Sequence, residues 1–218
     1  MATGIGEASL RLLARLQADA LAGDPDTVVL VEGLSDWAAL EALAPRLSHD
    51  LPASRVAVLP MGGATNVGRY LALIADADPA TRVAALCDAA ELPVFTRHMG
   101  PTPLESLGCW VCQRDLEDEF IRALGIPAVE AVLEAEGDLL AFRTLQQMPA
   151  HRDRTPAQHL HRFMSAKSGR KQRYGGLLAE AVPLAAVPGP LRGLLDAVTA
   201  EGAPRPAAGP RPPRGRPG

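Results

Sequence analysis

Aromatic side chains are scarce in this chain: four Phe, two Trp and two Tyr among 218 residues. A core therefore has to be built from Leu, Val and Ala. Cysteine is scarcer still, and the odd count of three argues against a disulfide framework. No apolar run approaches the ~20 residues that span a bilayer. Met1 to Leu21 carries acids, glycines and spaced arginines in place of an apolar leader segment. The expectation is a soluble, cytoplasmic protein with no membrane association. A Walker A loop is also missing, so no ATPase is encoded here. Charge of one sign is not in excess either. The formal net charge is −3, which does not advertise a nucleic-acid binder in bulk.

What is present is local. Hydrophobic residues make up 47% of the chain, enough for a sizeable core without staples. Between His151 and Arg173 there are seven Lys or Arg against one acid, Asp153. Four further arginines follow Glu201, in a Pro-, Ala- and Gly-rich stretch with no acid. That stretch has too little apolar surface to order itself, and residues 201–218 are expected to be a disordered tail.

The chain is organised around Val28-Val29-Leu30-Val31-Glu32-Gly33-Leu34-Ser35-Asp36-Trp37. An unbroken aliphatic run is the mark of a buried parallel strand. Gly33 permits a tight strand-to-helix corner, and Ser35 is the expected helix cap. Glu32 then stands at the carboxyl end of the strand and Asp36 in the first helical turn, where the helix dipole favours an anion. Open α/β sheets do their chemistry at that edge. Two acids there suggest a divalent-metal site; a charge pair serving only the helix dipole is the plain alternative.

Upstream, residues 8–21 form an amphipathic helix with Leu10, Leu13, Leu16 and Ala20 on one face. Downstream, the spacing predicts a helix over 35–47, a strand over 56–59, and a glycine corner at Gly62-Gly63 leading into a helix to about residue 77. A third strand over 82–87 again ends in an acid, Asp88, followed by Ala89, Ala90 and Glu91. The corner at Gly62-Gly63 is either a phosphate cradle or a tight turn. A fourth strand is expected over 107–113 and a helix over 114–124. This βαβαβ period implies right-handed crossovers and a parallel sheet. If the order is 2-1-3-4, strands one and three share one crevice. After residue 126 strands vanish; helices are predicted over 128–136, 138–147, 155–166, 170–182 and 191–200. Cys109 and Cys112 have the spacing of a metal or redox pair. On a strand, however, they face opposite sides, and buried strand cysteines are the preferred reading. His159 and His161 are two apart, a poor helical ligand pair, and with His151 they are read as solvated or phosphate-adjacent.

Val-Glu-Gly-Leu-Ser-Asp after strand one, Met-Gly-Gly-Ala-Thr-Asn-Val after strand two and Leu-Cys-Asp-Ala-Ala-Glu after strand three resemble a TOPRIM domain. The type is that of the OLD (overcoming lysogenisation defect) family nucleases, including short stand-alone TOPRIM nucleotidyl transferase/hydrolase or ATP-dependent endonuclease-like proteins. The resemblance implies an α/β, three-layer, Rossmann-like parallel sheet of about four strands. It divides the chain into an N-terminal helix (1–25), a TOPRIM domain (26–125), a helical C-terminal subregion (126–200) and the tail.

It also implies Mg²⁺- or Mn²⁺-dependent phosphodiester chemistry on nucleic acid, with DNA as the expected substrate for an endonuclease or nickase. Glu32 and Asp36 match the family's first metal acids, and Glu32 is also the catalytic acid. Asp88 matches the first acid of its Asp-x-Asp pair. Ala90 stands where the second belongs, and Glu91, one residue later, is a further metal candidate. Glu117 corresponds to the later family glutamate and Lys171 to the lysine that stabilises phosphate charge. Arg170, Lys171 and Arg173 are the expected nucleic-acid contacts. A separate ATPase or a second copy of the chain are the other expected partners. Two alternatives stand beside the hydrolase: a decayed module that binds nucleic acid or a partner ATPase, and a nucleotidyl transferase.

Overall fold

The computed structural model describes residues 6–100, 104–166 and 169–200; the expected tail lies outside the described residues. In chain order the elements are α1 (Glu7–Ala22), β1 (Thr27–Val31), α2 (Leu34–Arg46), β2 (Val56–Pro60), α3 (Val67–Ala77), β3 (Arg82–Asp88), α4 (Leu92–Met99) and β4 (Ser106–Cys112). Six helices follow: α5 (Leu116–Leu124), α6 (Ile126–Ala135), α7 (Leu139–Gln147), α8 (Pro156–Met164), α9 (Arg170–Ala181) and α10 (Gly189–Thr199). Among the described residues no helix is long and apolar enough to cross a membrane.

The four strands are parallel and run in the order β2-β1-β3-β4, so β1 and β3 are neighbours. Register pairs Val31 with Pro60 on one side and with Leu86 on the other. That alignment brings the residues just after β1 and the end of β3 to one edge of the sheet. Both faces of the sheet are covered, which is why β1 reads as an unbroken apolar run rather than an alternating one. Val29, Val31, Ala84 and Leu86 point to a core shared with α2, α5 and the later helices, out to Tyr174 and Val198. Val28, Leu30, Val83 and Ala85 point to the other core, closed by Tyr70, Ile74 and Phe95 of α3 and α4. The helical subregion from 126 onward thus shares one core with the sheet. Cys112 belongs to the first core and Cys109 packs on the second, as strand alternation requires.

Two local expectations need correction. Ser35 is not the cap of α2. The helix begins one residue earlier, at Leu34, and extended Gly33 holds the cap position. The reaching-back group is Asp36, whose Oδ2 accepts from the Gly33 N–H at 2.9 Å. A carboxylate three residues into the helix satisfies an otherwise orphaned donor better than an inward-facing serine. α4 is a further helix that the sequence expectations do not include. Its signals were Pro93 near the start and Leu92, Phe95 and Met99 at helical spacing, with Phe95 and Met99 buried.

Candidate metal centre

Glu32 follows β1 directly, and its backbone is clamped from the neighbouring strand. Its carbonyl accepts from the N–H of Gly62 at 2.9 Å and of Gly63 at 3.0 Å. Both glycines have positive φ, 75° and 134°, a region that side chains disfavour. The glycine corner is therefore a tight turn that fixes Glu32, with both its N–H groups used for that purpose.

Asp88 closes β3 next door. Beyond it the chain turns back at once: the Glu91 N–H bonds to the Asp88 carbonyl at 2.9 Å. This one-turn reversal lays Glu91 over Asp88. One carboxylate oxygen from each of Glu32, Asp88 and Glu91 lies within 4.8 Å of the other two. Glu91 Oε2 is buried without a hydrogen-bond partner.

Crowding of like charge shows in the acidities. Burial, with the charges of Asp36 and Glu32, pushes Asp88 up to about 7. Burial and the Glu32 charge push Glu91 up to about 7. Asp36 is also pushed up to about 7, mainly by burial, with Lys171 working against the shift. Anions packed this closely favour the neutral form unless a cation joins them.

One cation does face the group. Lys171 lies in the first turn of α9, and its Nζ is 3.4 Å from Glu117 Oε2. Burial alone would lower its pKa, but Glu117, Asp36 and Glu32 outweigh burial and hold the ammonium protonated. Gly175 explains how Lys171 arrives there. A Cβ on Gly175 would lie 2.5 Å from the Ser35 carbonyl oxygen, so only glycine lets α9 approach α2 this closely. Lys171 is one helical turn before Gly175, on the same face. Glu32, Asp36, Gly62 and Lys171 line a cleft of about 290 Å³, walled on its far side by Ser9 and Leu13 of α1.

A family model for the TOPRIM domain of overcoming lysogenization defect protein-like proteins matches residues 25–98. Those residues form a TOPRIM domain of the OLD-like type. Solved structures agree on the fold over a longer span. The C-terminal region of the Burkholderia pseudomallei OLD protein superposes with a TM-score of 0.58 at 18% identity, covering 80% of this chain and 96% of that one. The C-terminal region of the Xanthomonas campestris pv. campestris OLD protein gives 0.57 at 24% identity, covering 81% and 95%. No curated protein matches the chain. The TOPRIM match contains Glu32, Asp36, Asp88 and Glu91; Glu117 and Lys171 come from beyond it.

Around the TOPRIM domain the remaining candidates separate. Asp36 stands beside the Glu32–Asp88–Glu91 group, tied to Gly33, rather than within it. Glu117, on α5, is 1% exposed, and neither oxygen accepts a hydrogen bond. Burial pushes its pKa up, and Lys171 opposes that.

Arg170 and Arg173, expected as nucleic-acid contacts, are engaged elsewhere. The Arg170 guanidinium lies 3.9 Å over the Phe163 ring and donates to the Phe163 carbonyl at 3.1 Å. Arg173 pairs with Glu136 and stands 4.0 Å from Asp138. Asp138 also accepts from the Tyr174 hydroxyl at 2.9 Å. These two arginines fasten α9 to the preceding helices, Arg170 by stacking on an aromatic ring and the exposed Arg173 by pairing with acids. In the basic run Arg152, Arg154 and Arg162 are exposed, as are Lys171 and Arg173. Lys167 lies outside the described residues.

The sequence reading missed Asp115 and His161. Asp115 caps α5, its Oδ1 accepting from the Asp118 N–H at 2.9 Å. Its Oδ2 meets His161 Nε2 at 2.5 Å across 46 residues of chain. His159, read as solvated or phosphate-adjacent, is instead buried, its Nε2 2.7 Å from the His151 carbonyl oxygen. The relevant histidine pairing is across helices, and no linear spacing encodes it.

Proposed function

We propose that this chain is a nuclease of TOPRIM type: a divalent-metal-dependent phosphodiester hydrolase whose substrate is DNA. The observation that carries the reading is the Glu32–Asp88–Glu91 group, with Lys171 lining a cleft together with Glu32 and Asp36. The donors fit a hard cation. All three are carboxylates, two have pKa values raised to about 7 by burial and mutual charge, and Glu91 Oε2 is buried without a partner. Glu32, Asp88 and Glu91 would hold Mg²⁺ or Mn²⁺, which suit oxygen ligands with open positions. When bound, such an ion polarises a phosphoryl oxygen and acidifies water at neutral pH.

The chain's own groups do the rest. Lys171, kept protonated by Glu117, Asp36 and Glu32, neutralises charge that builds on the non-bridging phosphate oxygens. Glu32, its backbone pinned by Gly62 and Gly63, keeps its carboxylate oriented toward the attacking water and takes up the water's proton. Exposed Arg152, Arg154 and Arg162 offer phosphate contacts that hold the duplex without reading its sequence.

Glu91 also bears on the binding-only alternative. That alternative rests on Ala90, which leaves the Asp-x-Asp pair one acid short. Glu91, turned back over Asp88, supplies an acid at the same group, and this favours hydrolysis.

The test is cleavage of supercoiled plasmid in Mg²⁺ and in Mn²⁺. Wild type is expected to nick or linearise it; Glu32→Gln and Asp88→Asn should lose at least about 100-fold in rate with unchanged circular dichroism. Metal-stimulated cleavage that survives both substitutions overturns the assignment.

A further inference from the structure

We propose that Arg69, Arg97 and His98 form a second phosphate-binding wall, across the metal group from the arginines of α8, so that bound DNA crosses the sheet edge from one layer of helices to the other. The inference deepens the hydrolase reading and rests on it for the position of the reacting phosphate.

The layers set the path. α8 and α9 belong to the core on one face of the sheet, through Leu160, Phe163 and Tyr174. α3 and α4 belong to the core on the other face, through Tyr70 and Phe95. Glu32 and Asp88 stand at the ends of the neighbouring strands between these layers. A strand of DNA held by Arg162 on the first side and running over the metal group leaves on the second.

Arg69 lies in the first turn of α3, and Arg97 and His98 lie in the last turn of α4. The two turns meet at Gly68, where an added Cβ would lie 2.8 Å from His98 Nδ1. The imidazole is thus seated on the residue next to Arg69. α4 begins directly after Glu91. A helical rise of about 1.5 Å per residue puts His98 about 10 Å from Glu91. At about 3.4 Å per nucleotide of one strand, that is about three nucleotides from the metal group.

Charge on this wall has no internal use. Exposed Arg11, Arg122 and Arg143 each pair with an acid of the chain. Arg69, Arg97 and His98 are exposed too, and among the described residues none of them pairs with an acid. Arg69 only leans over the Tyr70 ring, 5.5 Å from its centre, which keeps the guanidinium at the surface. α4 contains no acid, the first turn of α3 has none, and Asp76 stands at the far end of that helix. Uncompensated cations beside a metal group suit a polyanion, and they fix its direction without reading its bases.

The test is binding of a labelled DNA duplex by the full chain, followed by fluorescence anisotropy in EDTA over a KCl series. Arg69→Ala and Arg97→Ala should each weaken binding about threefold to tenfold and lower the slope of log affinity against log salt by about one. Arg143→Ala removes the same charge from α7 and should leave both unchanged. On the unaltered chain, bound duplex should shield Arg69 and Arg97, but not Arg143, from an arginine-modifying reagent. Three results would overturn the wall: wild-type affinity and slope in both Arg69→Ala and Arg97→Ala, an equal loss in Arg143→Ala, or no shielding by DNA. Without a divalent ion no cleavage enters these readouts, so failure of the hydrolase reading shows separately, in the plasmid assay.

Discussion

Two acid groups face the same lysine, and they are built in different ways. Glu32, Asp88 and Glu91 are placed by backbone: two neighbouring parallel strands in register, a glycine corner, and a one-turn reversal after β3. Asp115, Glu117 and His161 are placed by packing, on α5 and α8. Lys171 joins the two only because α9 comes close to α2 at Gly175. The first group is as rigid as the sheet. The second is as rigid as the docking of three helices, so the two should respond differently to damage.

The largest contrast is expected between Asp88→Asn and Lys171→Met. Asp88→Asn should abolish plasmid cleavage while leaving thermal stability equal or higher, because it relieves carboxylate crowding. Lys171→Met should lower cleavage about tenfold and also destabilise the chain by about 1–3 kcal/mol, since it leaves Glu117 buried without a cation; the half-exposed ammonium keeps that figure at the low end. Denaturant midpoints measured beside cleavage rates separate the two outcomes. Equal stability losses in both variants would erase the distinction.

Next in size is a pair of glycines on one helix. Gly175→Ala drives a Cβ into the Ser35 carbonyl and should cost about 1–3 kcal/mol, with Lys171 displaced and activity reduced. Gly176→Ala meets nothing closer than 3.8 Å and should be neutral or stabilising by up to about 1 kcal/mol. Equal effects at 175 and 176 would show that the close approach of α9 to α2 is not what places the lysine.

pH sharpens the picture of the sheet-edge group. Asp36 and Asp88 rise from 3.8 to about 7, and Glu91 from 4.5 to about 7. Between those values the folded chain keeps protons that the unfolded chain has lost. Stability of the metal-free chain should therefore fall as pH rises through this window and level off above about 7. Added Mg²⁺ should raise the melting temperature more at pH 8 than at pH 5.5, because the ion competes with those protons. A shift independent of pH would remove these carboxylates from the site. The smallest effect is expected from Ala90→Asp. Ala90 is exposed, and Glu91 already occupies the group, so cleavage should change by less than about twofold.

Much of this was legible in the order of residues. Unbroken apolar runs ending in Glu32 and in Asp88 announce parallel strands with acids at one edge, because a strand covered on both faces leaves polar residues only at its ends. Glu91 was legible as a candidate but not as a member of the group; its place depends on a hydrogen bond to the carbonyl of Asp88. Arg170 and Arg173 looked like phosphate contacts in a basic run, since charge in sequence does not reveal the acids and the ring that meet it in space. Asp115 with His161 was not legible at all, being a contact between helices far apart in the chain.

By itself, then, the order of amino acids determined the strands, the helices and which acids stand at strand ends, because hydrophobic periodicity and glycine corners act over a few residues. Only the tertiary structure decided that Asp36 caps its own helix, that Lys171 lies against Glu117, and that the His161 imidazole meets Asp115. Those outcomes depend on how helices pack, and helix packing is settled by the fit of distant side chains that no local pattern records.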